Sequence, residues 1–346
     1  MAQRRMVASS DLRPGPRRIT FVTNPDDCNL ACRMCREHSP LAPWRPRPGP
    51  PRRLPVDLVE RVLDERAGSA LAEVIPSTKG EPLLWSGLER LVDLCAEFRL
   101  ALNVTTNGTF PIRGAAGWAE RLVSVARDVK ISWNGATAET AALLMGGLEL
   151  ERALDDLRAF VRVRDGRRAA GRTASRVSFQ VTAQEANVSE LAGLVRMAAA
   201  LGVERIKVNQ LQVHFEALAG QDLRRDAASR THWNEAVRAM RAAAEERRLL
   251  SGQAVLLENV EPWPLTGEPT FGPCPFLGRE AWVTAEGAFA PCPALAGQDG
   301  VLGDFGSLHE RTMGAIWEGE DYRALVAGYE RRAECRRCPL RRAGGV

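Results

Sequence analysis

Lysine is nearly missing from this chain: Lys79, Lys130 and Lys207 are the only three among 47 basic residues in a sequence of 346. Each falls in or just after a strand-like run, where a solvated filler lysine is not expected, so all three become candidate site residues. Also missing is any apolar run of membrane-spanning length, which excludes a helical membrane anchor. No secretory h-region follows the N-terminus, so a cytoplasmic location is expected. Charge of one sign is scarce as well. The formal net charge is +4, small and evenly spread, which argues against a nucleic-acid partner. The arginine-rich ends, Arg4-Arg5, Arg336-Arg337 and Arg341-Arg342, read as solvated tails rather than a phosphate-binding stripe. The eight cysteines, with no secretory signal, point to thiol or metal chemistry rather than disulfides.

Three of those cysteines, Cys28, Cys32 and Cys35, lie in a C-x3-C-x2-C run just after the apolar stretch Ile19–Thr23. Three thiolates on one short loop can ligate three irons of a 4Fe-4S cube, leaving the fourth iron open to a substrate or cofactor. A structural zinc site with His38 as fourth ligand is the alternative chemistry for the same run. In this motif and its place after a strand the chain resembles the radical S-adenosylmethionine (SAM) superfamily. The resemblance implies that the open iron holds SAM and that SAM is cleaved reductively to a 5′-deoxyadenosyl radical. It also implies an electron donor such as flavodoxin or ferredoxin.

Strand-like runs recur at Ile19–Thr23, Ala72–Ser77, Leu100–Thr106, Val129–Ser132, Val177–Thr182 and Ile206–Gln212. Amphipathic helical patterns separate them at about 56–67, 86–98, 114–127, 136–165 and 185–201. Six β/α units in series predict a parallel sheet. Several strands alternate apolar with polar residues: Val177, Phe179 and Val181 against Ser178, Gln180 and Thr182, or Ile206 and Val208 against Lys207 and Asn209. Parallel strands covered by helices on both faces read as continuous apolar runs, so a curved sheet with a polar lumen is expected. An antiparallel sheet with one wet face is the alternative. The partial (β/α)6 TIM-like barrel predicted here is also the fold that the resemblance implies. Its extent is set at 18–225, after a flexible leader at 1–17 and before a helical linker at 226–270. Between Ser39 and Pro55 a Pro/Arg-rich loop is expected to drape near the cluster.

Further matches follow the superfamily order. Gly80-Glu81-Pro82, after the second strand, resembles the element whose backbone holds the SAM amino group, with Lys79 in place of its first glycine. Ser132 and Asn134 resemble the polar pair that contacts the SAM ribose and carboxylate, and Gln180 is a further candidate for that task. Asn107 joins the expected cofactor-binding set. Met34 stands where many members place an aromatic residue against adenine.

The C-terminal third carries a second set, Cys274, Cys292, Cys335 and Cys338, with Gly287 giving C-x12-G-x4-C in the first pair. This spacing resembles the twitch domain, a shortened SPASM domain, and sets a unit at 271–346. The resemblance implies a β-hairpin, Ala281–Thr284 with Ala288–Ala290, and a fully ligated auxiliary 4Fe-4S cluster. Zinc on the same four thiols is the structural alternative. Cys95 shares its helical spacing with Leu88 and Leu91 and reads as a buried core thiol. His214, beyond the sixth strand, is a candidate for the barrel mouth.

Only about seventeen residues precede the first strand, too few for a peptide-recognition domain, so a small-molecule substrate is expected over a peptide. A lumen lined by Lys79, Lys130, Lys207, Asn103, Asn107 and Gln180 suits a hydroxylated, carboxylated molecule such as a sugar, aminocyclitol or sugar nucleoside. The resemblance implies hydrogen abstraction, with oxidation of an alcohol carbon leading over decarboxylation and epimerisation. A non-catalytic zinc-bearing barrel is the reading from a different class.

Overall fold

The computed structural model describes residues 14–44, 49–77, 79–266 and 272–341. Most of the expected leader (1–13), the centre of the Pro/Arg-rich loop (45–48) and the last five residues (342–346) lie outside them. All six expected strands form: β1 (Arg18–Phe21), β2 (Glu73–Pro76), β3 (Ala101–Thr106), β4 (Ala126–Ser132), β5 (Arg176–Ala183) and β6 (Arg205–Gln210). Three more join the same sheet, β7 (Leu256–Glu258), β8 (Glu280–Val283) and β9 (Phe289–Ala290). The order is β9-β8-β1-β2-β3-β4-β5-β6-β7, parallel at every pairing except β8 with β9. A largely parallel sheet with an intervening helix in each unit is the expected partial TIM-like barrel. The antiparallel alternative is excluded for all but that hairpin.

One face of the sheet packs on the helices. Ile19, Val74, Leu102, Val104, Val129, Ile131, Val177, Phe179, Val181, Ile206 and Val208 are all fully buried. Burying such a side chain contributes about 1.5–3 kcal/mol, so this outer layer holds the sheet to its helices. The other face is polar. Lys130, Ser132, Gln180, Thr182, Lys207 and Asn209 are each partly exposed on it.

The helices are α1 (Val56–Arg66), α2 (Leu88–Glu97), α3 (Gly114–Leu122), α4 (Ala138–Leu144), α5 (Leu150–Ala169), α6 (Leu191–Leu201) and α7 (Ala227–Glu246). Two expectations need correction. The helix expected over 114–127 ends at Leu122, because the chain turns early into β4 at Ala126. The single helix expected over 136–165 is two, α4 and α5. Between them Met145–Gly146 pairs antiparallel with Ala31–Cys32, and Gly147 at φ 92° turns the chain, a backbone angle that a continuing helix forbids. Apolar periodicity carries no mark of that turn. The stretch read as a helical linker contains α7 and also β7.

The expected hairpin is β8 with β9, and it belongs to the barrel sheet rather than beside it. Strand β8 pairs in register with β1, and Arg18 bridges Glu280 at 2.6 Å and Glu73 at 2.7 Å. Glu65 on α1 accepts hydrogen bonds from the N–H groups of Met313 (2.9 Å) and Gly314 (2.8 Å), capping helix α8 (Met313–Trp317). The C-terminal region is thereby fixed to the start of the barrel.

Candidate metal and cofactor site

The loop after β1 is held from both sides. Ala31–Cys32 forms the short ladder with Met145–Gly146, and the Arg33 N–H donates to the Leu144 carbonyl at 2.9 Å. On the other side the Asn24 side chain donates to the Glu81 carbonyl at 2.8 Å, and the Glu81 N–H donates to the Asp27 carbonyl at 2.7 Å. Gly80, at φ 69°, lies between these contacts. A Cβ there would meet the Asn24 carbonyl oxygen at 2.1 Å and that of Asp27 at 2.7 Å, so only glycine permits this approach. The backbone of Gly80-Glu81-Pro82 is therefore packed directly on the cysteine loop.

Glu81 is the hub of that contact. Its carboxylate accepts from the Asn107 N–H (2.7 Å), the Leu83 N–H (3.1 Å) and the Thr106 hydroxyl (2.8 Å). Burial pushes this carboxyl up to about 7, while the hydrogen bonds pull the other way. The side chain sits inside the wall and ties the ends of β2 and β3 together. Asn107 donates to Asn29 Oδ1 at 2.8 Å and reaches Cys28 Sγ at 3.9 Å. Asn134 Oδ1 accepts from the Thr182 N–H at 2.8 Å, bracing the ends of β4 and β5. Ser132 and Gln180 are register partners on the lumen face. Met34 packs on the cluster of Leu211, Phe215 and Leu218 that follows β6.

Cys28, Cys32 and Cys35 are partly buried and unbonded to one another. Burial first, and then the neighbouring thiols, pushes Cys32 up to about 12. Such a trio ionises only with a cation to offset burial, and the irons of a cluster would supply it. His38 Nε2 bonds the Pro25 carbonyl oxygen at 2.8 Å, and the His38 N–H donates to Cys35 Sγ at 3.4 Å. His38 is therefore a strut of the loop. A His38→Ala variant is expected to lose about 1 kcal/mol of stability in urea unfolding yet keep its full iron content, whereas a zinc-ligand role would show as lost metal.

The second set converges as the spacing requires. Cys274, Cys292, Cys335 and Cys338 line one cavity with Leu277 and Leu302. Cys292 rises to about 12, again chiefly through burial. The Cys274 N–H donates to the Tyr329 hydroxyl at 3.1 Å, and Gln298 Nε2 donates to the Cys292 carbonyl at 2.9 Å. A Cβ on Gly297 would lie 2.6 Å from Cys292 Sγ. Among the described residues no three of His, Cys, Asp or Glu converge on a single ion. What fits a four-iron cluster here is the shared cavity and four free thiols, Cys292 and Cys335 buried and Cys274 and Cys338 half-buried.

Lys79 stands apart from Lys130 and Lys207, which lie in neighbouring rows of the lumen face. Lys79 pairs with Glu37 at 3.3 Å beside the cysteine loop. Lys207 pairs with Glu258 on β7 at 2.8 Å. Lys130 stands on β4 in register with Thr105 and Ser178. Deeper in the lumen Asp128, 1% exposed, pairs with Arg205 and accepts from Ser178 at 2.6 Å, and Arg205 also reaches Glu258 at 2.8 Å. Asn103 donates to Glu73. Asp128 and Arg205 belong to no motif, and the signal that places them is their alternation with Val129 and Ile206, which marks the lumen face as clearly as the lysines do. His214 lies at the mouth, pushed down by burial and then by Arg36. Cys95 is fully buried on α2 in the main core.

Residues 274–339 match the SPASM iron–sulfur cluster-binding domain. The whole chain is similar in structure to Streptococcus suis SuiB bound to S-adenosylmethionine, with TM-score 0.65 and 17% identity over 95% of this chain and 72% of that one. SuiB bound to its precursor peptide SuiA gives TM-score 0.63 and 15% identity over 92% and 68%. anSMEcpe with bound AdoMet gives TM-score 0.64 and 15% identity over 94% and 83%. No curated protein matches the chain in sequence. The match gives the C-terminal region as a SPASM-type iron–sulfur cluster-binding domain, and the structural likeness gives the fold, a partial barrel shared with these SAM-bound proteins. An iron–sulfur cluster is the group that the matched domain binds, and the cavity lined by Cys274, Cys292, Cys335 and Cys338 is where one fits. No helix among the described residues is long and apolar enough to cross a membrane.

Proposed function

We propose that the chain is a radical SAM enzyme that oxidises an alcohol carbon of a small hydroxylated molecule, such as a sugar, aminocyclitol or sugar nucleoside. Held by Cys28, Cys32 and Cys35, a cluster with SAM would supply a hydrogen-abstracting radical, and a cluster on Cys274, Cys292, Cys335 and Cys338 would supply a one-electron acceptor. The chain's own residues do the rest. Gly80 and the Glu81 hub hold the cofactor loop against β2, Ser132 and Gln180 offer polar contacts at the strand ends, and the lumen presents hydroxyl, amide and amine groups to a polar substrate. The observation that carries the reading is a polar lumen opening beneath the cysteine triad, with a four-thiol cavity anchored to the same sheet through β8. Epimerisation needs a hydrogen-atom donor, and Cys95, sealed in the helical layer, offers none to the lumen. Decarboxylation of a uronic-acid-like sugar uses the same lumen without the auxiliary acceptor.

Peptide modification is the second reading, and the specific observation for it is that SuiB and anSMEcpe are both seen with peptides. The test is anaerobic reconstitution, reduction and assay of 5′-deoxyadenosine with SAM alone, then with panels of aminocyclitols, uronic acids and short peptides. Substrate-dependent deuterium transfer into 5′-deoxyadenosine from a carbinol position is the expected result. Transfer only from peptides would replace the substrate assignment, and no SAM cleavage at all would overturn the enzyme assignment.

A further inference from the structure

The cations of the lumen are nearly all spoken for. Arg205 is held by Asp128 and Glu258, Lys207 by Glu258, and Arg18 by Glu73 and Glu280. Lys130 differs: among the described residues its ammonium forms no hydrogen bond and no ion pair, although the side chain is mostly buried on the lumen face. The acid that acts on it most strongly, Asp128, is already committed to Arg205 and Ser178, with Arg176 at 3.7 Å, and Glu258 is held by Arg205 and Lys207. Across the lumen Glu73 is taken by Arg18 and Asn103. The neighbours in register, Thr105 and Ser178, are neutral hydroxyls, and the next row toward the strand ends is Ser132, Gln180 and Lys207. The ammonium keeps contact with solvent in the lumen, so it is open to a ligand anion, which supplies the counter-charge that no side chain provides. One unmatched positive charge among hydroxyls suits a singly charged carboxylate, which accepts from both kinds of group, better than a phosphate dianion.

We propose that Lys130 anchors a carboxylate of the small-molecule substrate at the base of the lumen, leaving the reacting carbon toward Ser132 and the cysteine triad. This rests on the reading of the chain as an enzyme acting on a small molecule inside the barrel. It also orders the substrate: the anion lies deep, and the hydrogen to be removed lies near the strand ends.

With only three lysines in the chain, each can be followed separately. The reconstituted holoprotein with SAM is treated with an amine-acetylating reagent at fixed ionic strength, and acetylation at Lys79, Lys130 and Lys207 is quantified by peptide mass spectrometry. D-Glucuronate and acetate are expected to slow labelling of Lys130 several-fold, with D-glucose and chloride without effect and the other two lysines unchanged. In calorimetric titration Lys130→Met is expected to weaken glucuronate binding about tenfold, with Lys130→Arg recovering most of it. Unchanged Lys130 labelling with both carboxylates, or equal slowing by glucose, would overturn the proposal. Protection by an acidic peptide alone would overturn the small-molecule assignment. Formation of 5′-deoxyadenosine by the wild-type preparation is measured alongside, so an unresponsive Lys130 in a SAM-cleaving protein refutes this inference alone.

Discussion

Cys32→Ser is expected to abolish 5′-deoxyadenosine formation and to lower bound iron from about eight to about four per chain, because a triad that loses one thiolate cannot hold its cube while the distant four-thiol site is untouched. The reciprocal change, Cys335→Ala with Cys338→Ala, is expected to remove the other four irons while leaving SAM cleavage with reductant in place. The two sites are independent in their ligands, the first on the β1 loop and the second in the cavity beyond β8. Iron, sulfide and zinc analysis after anaerobic reconstitution reads both variants. About four irons and one zinc in the wild type would make the C-terminal site structural and take away the internal electron acceptor on which alcohol oxidation depends.

Glu81→Ala has the largest expected effect on stability. It strands the buried N–H groups of Leu83 and Asn107, each costing about 1–3 kcal/mol, so a loss of about 2–6 kcal/mol is expected in urea unfolding. Cluster assembly on the adjoining loop should fall with it, since Asn24 and Asp27 are held through this residue's backbone and its neighbour Gly80. The pH dependence has a definite sign. The folded carboxyl titrates near 7 against an ordinary 4.5, so the folded state binds the extra proton between those values. This group's contribution is fully present below about pH 4.5 and is lost as pH rises through 7, by about 3 kcal/mol. Glu81→Gln has no such proton to lose. Comparing wild type with Glu81→Gln at pH 5 and pH 8 isolates the slope, and equal slopes in the two proteins would refute the assignment.

Much of the chain was legible because the signals are local. The C-x3-C-x2-C run, the alternation along β5 and β6 and the pairing of Cys335 with Cys338 are short-range patterns that one stretch of sequence displays by itself. The amphipathic α2 was legible for the same reason, and Cys95 lies in the core as its spacing required. The break between α4 and α5 was not, because the partner that makes Met145–Gly146 a strand is Ala31–Cys32, more than a hundred residues away. Nor was the role of the Glu81 side chain. A Gly-Glu-Pro turn suggests backbone contact with a cofactor, and only the arrival of Thr106 and Asn107 shows where the carboxylate goes.

The sequence by itself displayed the two thiol sets and the alternation of strands with helices, since thiol spacing and residue periodicity are properties of the chain alone. Only the tertiary structure decided that the C-terminal hairpin extends the barrel sheet through β1, and that of three similar lysines two are neutralised while Lys130 is left open. Strand pairing and charge compensation depend on which distant groups share a few ångströms, and one-dimensional order does not contain that distance.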